Sequence, residues 1–233
     1  MELHKKRNAA YASFMRQMQD IEFGSAEATT TKDRVNISYP DGTRALLYVN
    51  SVKGGFGKGE FGLYIGLTIS DGPIYQILKK TRLEGGSSFP KDMIFRTTSH
   101  SFKGARGLYA FRTATDVEST VTKMIRDVRK VYVPIIEQFT SRYEEAVSFI
   151  VDHNGEHVRK PFAMCVILLG LGNALSRLDS LIVKVKTVPR FLDFHRSKDY
   201  EHLIVERIRK WFAANKGVAS VSRSKGTAAR NRL

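Results

Sequence analysis

From Leu3 to Ile21 the apolar residues Leu3, Tyr11, Phe14, Met15, Met18 and Ile21 recur at helical spacing, with Lys5, Lys6, Arg7, Arg16 and Gln19 opposite them. Residues three and four apart share a helix face, so this pattern predicts an amphipathic opening helix. The stretch from Gly24 to Asp33 is small, polar and aperiodic and reads as a linker. The period then changes from helical to alternating. Arg34 to Tyr39 alternates apolar and polar positions, Pro40, Asp41 and Gly42 supply a turn, and Arg44 to Val52 runs back, which predicts a hairpin. A glycine-rich loop from Lys53 to Gly62 leads into a third strand, Leu63 to Ile69. Pro73 to Leu83 fits a short helix and Leu83 to Pro90 a loop. Met93 to Thr98 and Gly107 to Arg112 predict a second strand pair across the basic loop Ser99 to Arg106, giving five antiparallel strands.

After the strands the pattern is helical. Thr115 is a good N-cap, with Asp116 and Glu118 where carboxylates meet the positive end of the helix dipole. Val117, Val121, Met124, Ile125, Val128 and Val131 follow on one face. This long helix is expected to cover the sheet and to bend or stop before Pro134. Further helices are expected over Tyr143 to Val151, Phe162 to Lys186 and Tyr200 to Ala214, separated by His153-Asn154-Gly155 and by Val188-Pro189. The run from Phe162 to Leu175 is the most apolar in the chain. Asn173, Arg177 and Asp179 interrupt it before the ~18 to 20 apolar residues of a membrane span are reached. It reads as a buried helix.

These elements predict an α+β protein: an N-terminal helix, about five antiparallel strands covered by a long helix, then a C-terminal helical region with a basic tail. The expected divisions are a sheet domain over residues 1–140, a basic helical region over 141–216 and a flexible basic tail over 217–233.

Charge changes the picture in one region. The 233 residues carry 38 Lys and Arg against 23 Asp and Glu, a net charge of +15. From Arg159 to Leu233 there are 16 basic and 5 acidic residues, so +11 of the excess lies there. The last 27 residues hold Arg207, Arg209, Lys210, Lys216, Arg223, Lys225, Arg230 and Arg232 and no acid. A solvated helix face mixes both signs, whereas a purely cationic run suits a polyanion. Such residues bind phosphates by displacing counterions, with little sequence information. The expected partner is nucleic acid, DNA or RNA, and the alternative is an acidic protein partner met by an immunity, defence-system or assembly factor. Trp211 is placed either to stack on a base or to join Leu203, Ile204 and Ile208 in a core.

Candidate chemistry is sparse. The glycine-rich loop, with Lys53 and Lys58, reads as a flexible hairpin connection or as a nucleic-acid-contacting loop using Phe56 and Phe61 for stacking. It lacks the Gly-Lys-Ser/Thr ending on a helix that a P-loop needs. Asp41 and Glu60 are loosely placed for a metal-dependent nuclease, without the supporting Lys. His153 and His157 are four apart, but Asn154-Gly155 signals a turn that breaks the helical face a ligand pair requires. The single cysteine, Cys165, excludes an intramolecular disulfide and lies where a thiolate is disfavoured. No cofactor, metal or catalytic residue is expected, and a non-catalytic role follows. With no signal core after Met1, a cytoplasmic, reducing setting is expected.

The order of elements, a hairpin on either side of a glycine-rich loop and then Phe111-Arg-Thr-Ala-Thr-Asp-Val-Glu118 leading into a long helix to Val133-Pro-Ile-Ile-Glu137, resembles a small bacterial α+β family of unknown function. The likeness covers about residues 1–140. It implies a bacterial or phage origin and a compact sheet-and-helix domain, and brings no catalytic residues with it.

Overall fold

Alternation along three strands sets the two faces of the sheet. In β2 (Arg34–Ser38), β3 (Thr43–Val52) and β4 (Phe61–Asp71) the odd-numbered Val35, Ile37, Ala45, Leu47, Val49, Leu63, Ile65 and Leu67 are buried. Their even-numbered neighbours take the other face, because successive strand side chains point to opposite sides. The computed structural model describes residues 2–52, 56–84, 89–102, 104–112, 117–188, 191 and 198–215. They form an α+β fold falling into two contact units, one of residues 1–40, 44–69 and 95–137, the other of residues 41–43, 70–94 and 138–233.

In the first unit the sheet order is β1-β2-β3-β4-β5, with β6 also on β4, where β1 is Glu27–Thr30, β5 is Met93–Thr98 and β6 is Tyr109–Phe111. β2 and β3 pair antiparallel from Arg34↔Tyr48 to Ser38↔Arg44, as the hairpin pattern predicts. Two expectations change. The predicted linker contains β1, an edge strand paired with β2 from Glu27↔Ser38 to Thr30↔Val35. Its side chains are exposed or nearly so, hence there was no hydrophobic signal to betray it. β5 and β6 are not a hairpin, since β6 pairs with β4, Phe61↔Phe111 to Leu63↔Tyr109.

Between β5 and β6 the chain leaves β4, and Ser99 closes the gap. Its N–H donates to Ile65 O at 2.7 Å, while Ile65 N–H donates to Ser99 Oγ at 3.2 Å. Ser99 Oγ in turn donates to Gly107 O, where the chain returns. Tyr132 Oη adds a 3.4 Å contact to Ile65 O. One buried serine thus satisfies ladder groups that would otherwise be orphaned.

The buried face of the sheet lies in the same unit as α1 (Glu2–Met18) and α3 (Val117–Asp127), which pack on each other and bury Ala10, Phe14, Met18, Val121 and Met124. At the start of α3, Glu118 accepts from Ser13 Oγ at 2.7 Å, Gln17 Nε2 at 3.2 Å and Arg16 Nη2 at 3.1 Å. The proposed cap, Thr115, and Asp116 lie outside the described residues. The helix meets Pro134 through a π-turn, Val128–Tyr132, then runs on as α4 (Val133–Thr140). Val133 N–H reaches back five residues to Val128 O, and the next residue, Pro134, has no N–H to place. Beside the turn, buried Asp127 accepts from Tyr109 Oη at 2.7 Å and lies 3.5 Å from Arg106 Nε.

The second unit is organised on α6 (Pro161–Leu171), which contacts α2 (Gly72–Lys80), α5 (Tyr143–Asp152) and α8 (Lys198–Ala214). Every residue from Phe162 to Gly170 is buried. Each large apolar side chain there contributes roughly 1.5–3 kcal/mol by leaving water. Gly170 permits the closest approach, because a Cβ on it would sit 2.0 Å from the Phe212 ring. The single helix expected over 162–186 is instead broken at Gly172 and Asn173, the latter at φ 57°, and resumes after a short 3₁₀ turn as α7 (Leu178–Val185). Asn tolerates that left-handed conformation, and a helix cannot continue through it. Among the described residues no helix is long and apolar enough to cross a membrane.

Ser99→Ala removes the hydroxyl that serves Ile65 N–H and Gly107 O while leaving the backbone ladder bond. A loss of about 1–3 kcal/mol is expected, the cost of a stranded buried donor, measured as a lower urea midpoint at unchanged slope.

Candidate nucleic-acid interface

The even-numbered face of the sheet carries the most organised set of exposed aromatic and basic groups in the first unit. Tyr48 on β3 and Tyr64 on β4 are both partly exposed there. Glycines alternate with Tyr64 on the same face of β4. A Cβ at Gly66 would lie 2.1 Å from Tyr48 Cζ, and one at Gly62 would lie 2.6 Å from the Phe56 ring and 2.9 Å from Leu108. The rings of Tyr48 and Phe56 therefore lie across β4 over positions that have no side chain. Asn50 Nδ2 donates to Tyr64 Oη at 3.2 Å, and the exposed His100 ring stands 5.0 Å from the Tyr64 ring at 51°. Three cations on the neighbouring strands are exposed: Arg34 on β2, opposite Tyr48, Arg44 on β3, opposite Ser38, and Arg96 on β5. Acids on the same strands and loops include Glu27 on the edge strand, Glu60 in the loop that holds Phe56, and Asp33, whose Oδ1 is 3.1 Å from Arg34 Nε.

Beside α1, Asn8, Tyr11, Ala12, Met15, Thr31 and Lys32 line a shallow cleft of about 310 Å³. Burial raises the Tyr11 phenol above its ordinary pKa, and a hydrogen bond with Ser51 partly offsets this. The cleft holds no cluster of titratable groups.

Among residues singled out from the sequence, α8 brings together Arg207, Arg209 and Lys210. Ile204, Val205 and Ile208 are buried on its apolar side, while Arg209 and Lys210 are exposed. Lys210 Nζ pairs one turn back with Glu206 Oε1 at 2.5 Å and pulls that carboxyl below its usual pKa. Arg207 is half-buried and its Nη1 reaches Thr81 O at 3.5 Å, at the C-terminus of α2, where a cation offsets the helix dipole. Trp211 is half-buried, edge-on to Phe212 at 5.1 Å. Lys53, Lys216, Arg223, Lys225, Arg230 and Arg232 lie outside the described residues.

Lys58 is exposed in the loop before β4, where Gly57 N–H donates to Glu60 Oε2 at 3.2 Å. Of the two rings assigned to stacking in that loop, Phe61 belongs to the core. It is buried and stacked on Phe111 at 4.7 Å, since its odd position on β4 turns it away from the open face. Asp41 Oδ1 accepts from Thr43 N–H at 2.8 Å and so closes a turn. The turn at Asn154-Gly155 forms, with both residues and His157 at positive φ, and His153 Nδ1 lies 2.9 Å from Phe149 O. Among the described residues no cluster of three or more His, Cys, Asp or Glu could hold a metal ion. Cys165 is fully buried, and burial pushes its thiol pKa up.

No family model, curated protein or solved structure matches this chain. The face formed by Tyr48, Tyr64, Phe56 and the three arginines was not singled out from the sequence. Its signal was present in the even spacing of Gly62, Tyr64 and Gly66, which sets small and aromatic residues on one side of a strand.

Gly66→Ala is expected to push the Tyr48 ring off β4 while leaving the buried face intact. The check is a change in Tyr48 ring chemical shifts and solvent accessibility at nearly unchanged melting temperature.

Proposed function

We propose that this chain binds single-stranded nucleic acid on the open face of its sheet and uses its basic C-terminal residues to hold the phosphate backbone. The observation that carries the reading is the placement of Tyr48, Tyr64 and Phe56 on one strand face, among Arg34, Arg44 and Arg96. Unpaired bases stack on aromatic side chains at about 1–3 kcal/mol per base, and arginines around such a platform meet the phosphates. A duplex hides its base faces, so single strands are the fitting partner, RNA or DNA. The cationic run from Arg207 onward supports backbone contact of the sequence-tolerant kind. The role is binding, with no catalytic step.

Tyr48→Ala and Tyr64→Ala should each weaken binding to a labelled single-stranded oligonucleotide by about 1–3 kcal/mol, roughly 5- to 150-fold, with Tyr64→Phe close to wild type. Fluorescence anisotropy at fixed salt decides this. Unchanged affinity in both alanine variants would remove the sheet from the interface. A pull-down of an acidic protein that survives nuclease treatment, with no oligonucleotide binding at low salt, would replace the reading by the protein-partner one.

Truncation after Lys216 deletes Arg223, Lys225, Arg230 and Arg232. If all four contact phosphates, the slope of log K against log salt should become shallower by about 3, at ~0.7 per contact on a single strand. Equal slopes and affinities for the two chains would exclude the tail.

A further inference from the structure

Arg159 is buried to 5% exposure, and its guanidinium is underused. Nη2 donates to Phe89 O at 3.2 Å, whereas Nε and Nη1 are buried with no hydrogen-bond partner among the described residues. The backbone N–H of the same residue is fixed to Ile94 O at 2.9 Å, and the guanidinium carbon sits 5.8 Å from the centre of the buried Tyr75 ring. Burial raises the pKa of the Tyr75 phenol, and a hydrogen bond with Asp92 raises it further. A permanently charged group taken out of water costs several kcal/mol unless an opposite charge meets it. Nearly all buried donors in folded proteins have partners, so the two orphaned nitrogens mark a place made for an acceptor.

The next residues add to the positive potential. Lys160, partly buried and at φ 49°, is the N-cap of α6, and no side chain caps that helix. Pro161 takes the first helical position, and Met164 N–H is bonded to Lys160 O. No side chain caps the first turn of this 11-residue helix, and its N-terminus carries the positive end of the dipole. Burial and the adjacent Arg159 together lower the Lys160 pKa. Two cations and a helix N-terminus follow one another along the chain here.

We infer that Arg159, Lys160 and the first turn of α6 form a site for a small oxyanion, a phosphate or carboxylate group, in the second unit. The site is independent of the sheet face, and an oxyanion reaching it supplies the charge and acceptors that Nε and Nη1 lack. The ligand's shared chemistry is a negatively charged oxygen cluster; a free ion and the anionic end of a larger metabolite both carry it.

The test is a thermal-shift titration of the full chain with inorganic phosphate, and separately with citrate and acetate, at constant ionic strength. A saturable rise in melting temperature is expected with phosphate or with the carboxylates, and the stronger series identifies the group. Lys160→Gln should weaken the response about tenfold, the worth of one charge-assisted contact of ~1.4 kcal/mol, and Arg159→Gln should abolish it. Lys123→Gln, on the exposed side of α3, should keep the full response. No saturable rise with any of the three anions, or an undiminished one in Lys160→Gln, overturns the site even if Arg159→Gln does not fold. Glu84, whose Oε2 is also buried without a partner, is the internal competitor. If Glu84→Gln and Arg159→Gln lower the melting temperature equally and no anion acts on the wild type, the guanidinium is paired within the chain and the inference fails. Oligonucleotide affinity should be unchanged in Lys160→Gln, which separates this site from the sheet interface.

Discussion

The first unit depends on a central strand that must do two incompatible things at once. β4 is hydrogen-bonded along both edges, to β3 on one side and to β5 and β6 on the other. Its odd residues are sealed into the core, and rings lie over its even positions Gly62 and Gly66. Strand geometry allows this division only because the side-chain period is two, so a one-residue slip would exchange the faces completely. The register is therefore held at several points, by the Phe61↔Phe111 pairing at one end and by Ser99 on Ile65 in the middle. The open face of Tyr48, Tyr64 and the glycines inherits its order from those buried contacts.

How much of this was legible follows from what each residue buries. The strands with alternating burial and the helices with one apolar face were readable, because burial leaves a periodic trace. β1 was not, since an exposed edge strand of Glu27, Ala28, Thr29 and Thr30 pairs through its backbone alone. The partner of β6 was not, because tyrosine, alanine and phenylalanine at 109–111 suit any neighbouring strand and nothing local says which. The break at Asn173 was hidden inside an apolar run, where a left-handed backbone leaves little mark beyond Gly172 and Asn173 themselves. Of the candidate interface, the charge of α8 was visible in composition, whereas the aromatic face required knowing that Tyr48 crosses β4 at Gly66. Arg159 was counted with the other basic residues, and its burial could not be read from its neighbours.

Positive charge is thus used in two different ways. Arg34, Arg44, Arg96, Arg209 and Lys210 are exposed, where solvent screens them and each contact is worth little alone. Arg159 is held where screening is weak, so the same charge demands a partner. A net charge of +15 conceals this difference, because it counts a solvated lysine and a buried guanidinium alike.

The π-turn at Val128–Tyr132 has a consequence for how this chain tolerates change in length. A π-turn holds one residue more than an α-helical turn would, so deleting a residue there would restore regular winding while leaving the buried face of α4 where it is. It would also return the Pro134 ring to a regular helix, against the carbonyl four residues earlier. The extra residue and the proline are tied to each other: losing the residue while keeping the proline would set that ring against a carbonyl directly before the buried Ile135, Ile136 and Phe139. Length in this helix is therefore as constrained as residue type, a constraint that substitution patterns alone would not reveal.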